Sequence, residues 1–448
     1  MLVTILLATG SAVVSAADHP VPVDATGTPR ENISFWYQRI HQHTDLTALG
    51  HPQVVVHYDP STQAGRERLA VDRIHAATGA AAYRYVQMYY LPAVRRSMGV
   101  RMGRHPDWAF CSAGTAPATD TAIKPAADRW LLVDVNERPV IATFRHLLSK
   151  FKAAGWDGIF LDLAHRAFTQ QAWDRASSCE HHPIVAGRPS ADAYAALIPL
   201  ARSMGLQVMV NEGAPSGVPS PLRPDPADPA CRAAVWSRCH GLDDVARAAT
   251  WILHEGSSNW PDDTQWQADL AGLTQDEQAN RRPGRARVVA FGAYRGAAAD
   301  QLEHTVYQWG VMKLAAVPAA FGTGTDRCGA TSIGPTTPDC NRGGLAPTAL
   351  VDLTLGSPLD AGPLRRDCAP DGWHCLWLRR YRDGLVAVDN TVGPTHADDV
   401  ALTSDGRCVF VADAVTNAAI GGGCISHIDL ALAGDRAQVL RYADQPPA

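Results

Sequence analysis

Lysine is nearly absent: of the 40 basic residues only Lys124, Lys150, Lys152 and Lys313 are lysines. Glutamate is almost as rare, with eight in 448 residues. The net charge is −5, which argues against a dedicated nucleic-acid binder, since such proteins normally show a basic face. No C-x-x-C occurs among the ten cysteines, which argues against a cysteine-ligated metal. G-x-S-x-G is missing, and Gly213-Ala214-Pro215-Ser216-Gly217 has the wrong spacing for a serine nucleophile elbow. No run reaches the roughly 20 apolar residues needed to span a bilayer. There is no low-complexity linker and no internal repeat. What is abundant is core material: 46% of residues are hydrophobic and 19% charged, which excludes disorder as the main state. The length suggests two or three domains, or one large barrel with an accessory unit.

Residues 2–16 form an uncharged apolar run ending in Val14-Ser15-Ala16, the small-residue pattern of a signal-peptide cleavage site, although a basic n-region is missing. Residues 1–16 are read as a signal peptide, which predicts a secreted or periplasmic protein. Export makes disulfides the natural use of an even cysteine count. Four pairs are close in sequence: 231/239, 328/340, 368/375 and 408/424, which leaves Cys111 for Cys179. Spacing alone does not fix this connectivity.

Eight short β-rich runs recur, at 33–38, 53–59, 81–90, 157–163, 207–213, 250–256, 287–294 and 318–324. Amphipathic segments lie between several of them. One, 139–155, has Pro139 in its first turn and Gly155 past its end; others cover 190–205 and 299–316. Apolar strands alternating with helices signal a parallel sheet, and eight units over this length fit a (β/α)8 TIM barrel across 17–345. Trp130–Val135 is also strand-like and is placed as an extended piece inside the long third connection. An open doubly wound sheet is the alternative, but no Gly-rich phosphate loop follows the first run. After about 350 the helical period disappears. Leu376–Asn390 reads as a hairpin turning at Arg382-Asp383-Gly384, and 407–413 and 437–442 follow as strands. The expected division is therefore a barrel and a small antiparallel β-domain at 346–448.

Barrel active sites lie at the C-terminal ends of strands. Asp59, Asp162, Glu212 and Glu255 all close strand runs. Buried carboxylates are unfavourable unless paired or hydrogen-bonded, so acids at three successive strand mouths call for a chemical reason. Glycosidic cleavage needs two facing carboxylates: one protonates the leaving oxygen, the other attacks the anomeric carbon or activates water. The assignment is Asp162 as nucleophile or base and Glu255 as general acid. Glu212 would bind a substrate hydroxyl or take either role. Asp157 is read as structural because it begins its run, and Asp134 as a helix cap. His254 and Asn211 precede the two glutamates and are expected to face outward. Aromatic rings stack on sugar faces, so Trp36, Tyr37, Tyr58, Tyr89, Tyr90, Trp260 and Tyr294 are weighed. Tyr89-Tyr90 and Trp260 are favoured because they fall in loops, and Asp59, Tyr58, Trp36 and Tyr294 complete the substrate-binding candidates.

Several blocks occur in a characteristic order: R-H-P-D-W-A-F at 104–110, D-V-N-E-R-P-V at 134–140, G-W-D-G-I-F-L-D at 155–162, L-G-S-P-L at 355–359 and R-R-Y-R-D-G-L-V-A-V-D-N at 379–390. The series resembles the TIM-barrel glycoside hydrolases related to the endo-α-1,4-polygalactosaminidase group, over most of the chain after residue 16. The resemblance implies a barrel with a C-terminal β-domain and an active-site aspartate at Asp162. It also favours an acid on a later strand, here Glu255. The extra cysteines and the Pro-rich stretch after Glu212 depart from it. The expected partner is a polysaccharide or oligosaccharide, with no cofactor, no metal, no nucleic acid and no membrane span, in a monomer. Two other readings stay open. One is a catalytically inactive carbohydrate-binding barrel. The other is a metal-dependent hydrolase using His41 and His43, although that pair lies beyond the strand end and no matched lysine ends the fourth strand.

Overall fold

The computed structural model describes residues 32–38, 53–57, 63–87, 90–92, 130–132, 138–162, 191–211, 248–255, 270–274, 286–291, 301–317, 319–324, 353–372, 374–434 and 436–445, with residues 46, 98, 100, 104, 105, 108, 266, 277 and 350 singly. Eight parallel strands form a closed barrel. In chain order they are β1 (Asn32–Gln38), β2 (Val54–His57), β3 (Ala81–Val86), β6 (Gly158–Leu161), β7 (Gln207–Asn211), β8 (Trp251–Glu255), β9 (Arg287–Phe291) and β10 (Ala319–Gly324). Each coincides with one of the eight apolar runs of the sequence, β1 beginning one residue before its run. β10 closes the barrel against β1 from Asn32↔Ala319 to Tyr37↔Gly324, and joins β9 at Ala319↔Ala290. Two short strands, β4 (Tyr90–Pro92) and β5 (Trp130–Leu132), pair antiparallel off the barrel inside the third connection. The ninth strand-like run therefore sits where the count of eight required it.

Helices are described in four connections: α1 (Ala64–Thr78), α2 (Arg138–Ala154), α3 (Ala191–Ser203) and α4 (Gln301–Leu314). A further helical turn covers 270–274, between β8 and β9. α1 and α2 end at Gly79 and Gly155, and Gly205 follows α3; all three have positive φ, the conformation that closes a helix and that glycine adopts without a Cβ clash. In α2, Val140, Phe144, Leu147, Leu148 and Phe151 recur at helical spacing and are buried against the barrel.

After the barrel the chain forms a six-stranded antiparallel sheet in the order β11 (Leu364–Arg366), β12 (Leu376–Tyr381), β13 (Gly384–Asp389), β18 (Arg436–Ala443), β15 (Val409–Asp413), β16 (Ala419–Ile425). A two-stranded sheet of β14 (Thr395–Ala401) and β17 (His427–Leu432) covers one of its faces. Alternation explains why Leu376–Leu378 of β12 and Leu385–Val388 of β13 read as unbroken apolar runs. Leu376, Leu378, Leu385 and Ala387 pack toward β14 and β17, while Trp377, Val386 and Val388 pack toward α4. The hairpin turns through Arg382 and Asp383, with Tyr381 opposite Gly384. Gly384 leaves room for Leu355, whose side chain lies where a Cβ would stand. Disulfides join Cys368 to Cys375 and Cys408 to Cys424, two of the pairs expected from spacing. The other three expected pairs, residues 1–16 and the boundary at 345/346 lie outside the described residues.

α4 belongs to both parts. It connects β9 to β10, and its outer side lies on the antiparallel sheet. Gly310 permits the approach: a Cβ there would stand 2.9 Å from Val388 and 3.1 Å from Ala437. The last carbonyls of a helix have no partner within it. Here the buried Arg379 donates to the Leu314 carbonyl at 2.5 Å, and the Tyr381 hydroxyl donates to the Lys313 carbonyl. Trp266 and Trp377 meet at 5.4 Å in the same apolar cluster.

Inside the barrel, Gly158 is the tightest position. A Cβ there would lie 2.7 Å from the Tyr83 ring and 2.8 Å from the Gln207 carbonyl oxygen. Gly158→Ala should lower stability by about 1–3 kcal/mol through overpacking, read as a fall in the urea midpoint; an unchanged midpoint would contradict this packing.

Candidate active site

Three neighbouring strands, β3, β6 and β7, run in unbroken register. Tyr85 stands beside Phe160 and Phe160 beside Met209, and one step on Val86 stands beside Leu161 and Leu161 beside Val210. The next step brings Gln87, Asp162 and Asn211 to one level at the C-terminal ends. Side chains alternate between the two faces of a strand. Arg84 faces the helix layer, where it meets Glu67 of α1, so Tyr83 and Tyr85 face the barrel interior. Asp162 and Asn211 share that interior row.

Asp162 is half-buried and held at both oxygens. The Tyr85 hydroxyl donates to Oδ2 at 2.5 Å, and the Asn211 amide donates to Oδ1 at 2.8 Å. Its backbone N–H continues the ladder, donating to the Val86 carbonyl at 3.0 Å. Tyr85 is itself fixed: it is buried, its ring stacks on Phe160 at 5.9 Å, and the Gln87 side-chain oxygen lies 3.4 Å from its hydroxyl. Donors to both oxygens set the plane of the carboxylate. A carboxylate oriented in this way suits the nucleophile or base of a reaction.

Below this row the barrel is filled. Tyr83 donates to Gln207, and burial pushes its phenol well above the ordinary tyrosine range. Arg287 lies over the Trp251 ring at 5.2 Å, and burial lowers its pKa from the usual guanidinium value. Behind the row, Arg84 and Glu67 form a fully buried ion pair, with N–O distances of 3.0 and 2.9 Å. Trp156 adds a third hydrogen bond to Glu67 at 2.9 Å, and Arg84 also donates to the carbonyls of His57 and Tyr85. The pair thus braces the backbone of the residue whose hydroxyl holds Asp162. Asp157, at the opposite end of β6, accepts from the Ala82 N–H and meets His75, each at 2.8 Å, which is the structural role expected of it.

Two expectations are corrected. Asn211 does not face outward; it reaches Asp162, because the register of β6 and β7 puts both in one inward row. Tyr90 does not lie in a loop; it opens β4 and pairs with Leu132. His254 is fully buried and one step out of phase with Leu253, the partner of Asn211, in keeping with an outward position. Glu255 is the last residue of β8, opposite Phe291, and Trp36 lies in β1 between Val55 and Thr323. Glu212, Tyr58, Asp59, Tyr89, Trp260, Tyr294, Asp134, His41 and His43 lie outside the described residues. Sequence reasoning missed Tyr85 and Asn211 as partners of Asp162. The available signal was the register itself: aligned strand ends place Tyr85 one turn of the pleat below Asp162.

No family model and no curated protein matches this chain. Solved structures do. An alpha-amylase from Malbranchea cinnamomea is similar at 10% identity over 92% of this chain and 97% of that one, with a TM-score of 0.49. A GH27 β-L-arabinopyranosidase from Geobacillus stearothermophilus is similar at 12% identity over 92% and 96%, with a TM-score of 0.48. The glycoside hydrolase domain of PelA from Pseudomonas aeruginosa is similar at 14% identity over 65% of this chain and 94% of that one, with a TM-score of 0.40.

Replacing one member of a buried ion pair strands the other charge. Arg84→Leu should therefore destabilise the chain by about 3–5 kcal/mol, measured by equilibrium denaturation. A loss below about 1 kcal/mol, the range of an exposed pair, would show that the Glu67 cluster does not brace the site.

Proposed function

We propose that this chain is a glycoside hydrolase that cleaves a polysaccharide or oligosaccharide with paired carboxylates. Asp162 is the nucleophile or general base, Glu255 the general acid, and Glu212 a ligand for a substrate hydroxyl or a substitute in either role. The observation that carries the reading is the Asp162 carboxylate, bound at one oxygen by Tyr85 and at the other by Asn211 at the open end of a parallel barrel. An acid built only for packing has no need of that position. The backbone also supports the pairing with Glu255. β8 lies two strands from β6, and Glu255 stands two residues beyond the level of Asn211 and Leu253. Strand spacing and rise then put the two α-carbons roughly 10–12 Å apart. Two side chains can bridge that span to the separations at which retaining or inverting hydrolysis operates.

In this mechanism Tyr85 and Asn211 act on the anion alone. They hold it against the anomeric carbon, or against the water it activates, and accept the change in its charge without reorganising. Tyr58, Asp59, Trp36, Tyr89, Tyr90, Trp260 and Tyr294 are the proposed sugar contacts. We read the barrel as (β/α)8 over 17–345, the remainder as one β-domain, and residues 1–16 as an export signal. The bonded pairs Cys368–Cys375 and Cys408–Cys424 support an oxidising compartment.

The test is a screen of the purified chain against a panel of polysaccharides, amino-sugar polymers included, followed by variants on the polymer that is cut. Asp162→Asn is nearly isosteric and should lower kcat by at least about a thousandfold while leaving the melting temperature in place. Full activity in that variant overturns the assignment. If every polymer bound is left uncut, the barrel is a sugar-binding module instead. Tyr85→Phe should lower kcat about tenfold to a hundredfold with KM little changed, because the lost hydrogen bond acts on the reacting carboxylate. An equal loss carried by KM would make Tyr85 a substrate contact.

A further inference from the structure

We propose that the outward face of α2 is a second binding surface, on the outer wall of the barrel, for a carboxylate-bearing polysaccharide chain. In a chain of net charge −5 with four lysines, this 17-residue helix holds Lys150, Lys152, Arg138, Arg145 and His146 and no acid. All five are exposed. Arg138, Arg145 and Lys152 recur every seventh residue, so they form one stripe with steps of about 10.5 Å. Arg138, Ile141, Ala142, Arg145, His146 and Ser149 line a shallow groove of about 490 Å³ along it.

Helix stability accounts for Lys152, which lies in the last turn, but not for the rest of the pattern. Arg138 opens the helix, at the end where the backbone dipole disfavours a cation, and no acid occupies the first turn. His146 and Lys150 are one turn apart, where an opposite-charge pair would have been stabilising. Several basic side chains elsewhere do have an acidic partner: Arg68 has Asp72, Arg380 has Asp360, Arg382 has Asp383 and Arg436 has Glu303. Among the described residues Arg138, Arg145 and Lys150 have no such match, and Lys152 donates to the Gly205 carbonyl.

The chemistry of the face selects the partner. Planar guanidinium forks match carboxylates at two points. The apolar side of α2 is buried in the barrel and is not free to enter a lipid surface. The choice of a sugar polymer among polyanions rests on the hydrolase reading above.

The experiment uses the full chain carrying Asp162→Asn, so that bound polymer is not cut, and measures binding to polygalacturonate, to neutral dextran and to duplex DNA. Binding to polygalacturonate is expected, with none to dextran, and it should vanish near 1 M salt, where the Debye length is about 3 Å. Adding Arg138→Ser and Arg145→Ser should weaken it about tenfold, whereas Arg407→Ser, on the C-terminal sheet unit, should not. Lys150→Glu gives a second variant if the double change alters the melting temperature. Equal affinity in the face variants, equal affinity for dextran, or tighter binding to DNA than to polygalacturonate would each overturn the proposal. None of these readouts depends on hydrolysis, so a failure here is distinguishable from a failure of the catalytic assignment.

Discussion

Parallel pairing of β3, β6 and β7 in one continuous register is the constraint on which the candidate site depends. Because side chains alternate, a slip of one residue between β6 and β7 would turn Asn211 toward the helices and leave Asp162 with one fewer donor. The register is held at both ends. At the bottom, Gly158 lets the Tyr83 ring lie flat across the interior and reach Gln207. Outside, the Arg84–Glu67 pair ties β3 to α1. The chain thus places a tightly packed glycine and one half of a fully desolvated ion pair in the same three strands that present the carboxylate.

The buried ion pair fits this account better than it fits a simple stabilising role. Charges removed from water offset their own desolvation only when their remaining hydrogen-bonding capacity is used. Glu67 has donors from Arg84 and Trp156, and Arg84 spends further N–H groups on two backbone carbonyls. Apolar residues could fill the same volume. They would not select a single alignment of α1 on β3, and the alignment of β3 is what aims the Tyr85 hydroxyl.

Much of the barrel was legible because each strand is a short apolar run and three of the four described helices, α1, α2 and α3, end near a glycine. The extra strand β5 was also legible as a departure from that rhythm. β11, β14, β16 and β17 were not. Ala419–Ile425 is glycine-rich, and Thr395–Ala401 carries His396, Asp398 and Asp399 on a solvent-facing strand, so neither has an apolar signature. In the site, Asp162 could be found because it ends a run, which is a local property. Tyr85 and Asn211 could not, because their importance comes from the level at which three strands are laid side by side. Tyr90 was misplaced for a related reason: β3 stops at Val86, and the apolar residues after it belong to a separate antiparallel pair.

Arg379 and Tyr381, reaching from the antiparallel sheet to the final carbonyls of α4, carry an implication for how the molecule is inherited and how it melts. The helix that links the last two staves of the barrel has its end finished by residues that come some sixty positions later in the chain. A barrel severed after its final strand would leave the Leu314 carbonyl without its Arg379 donor and an uncovered greasy flank around Trp309 and Met312. The two halves should therefore unfold in a single calorimetric step. Recombination between them would have to preserve both sides of the seam, and shuffling the barrel onto an unrelated tail would forfeit it.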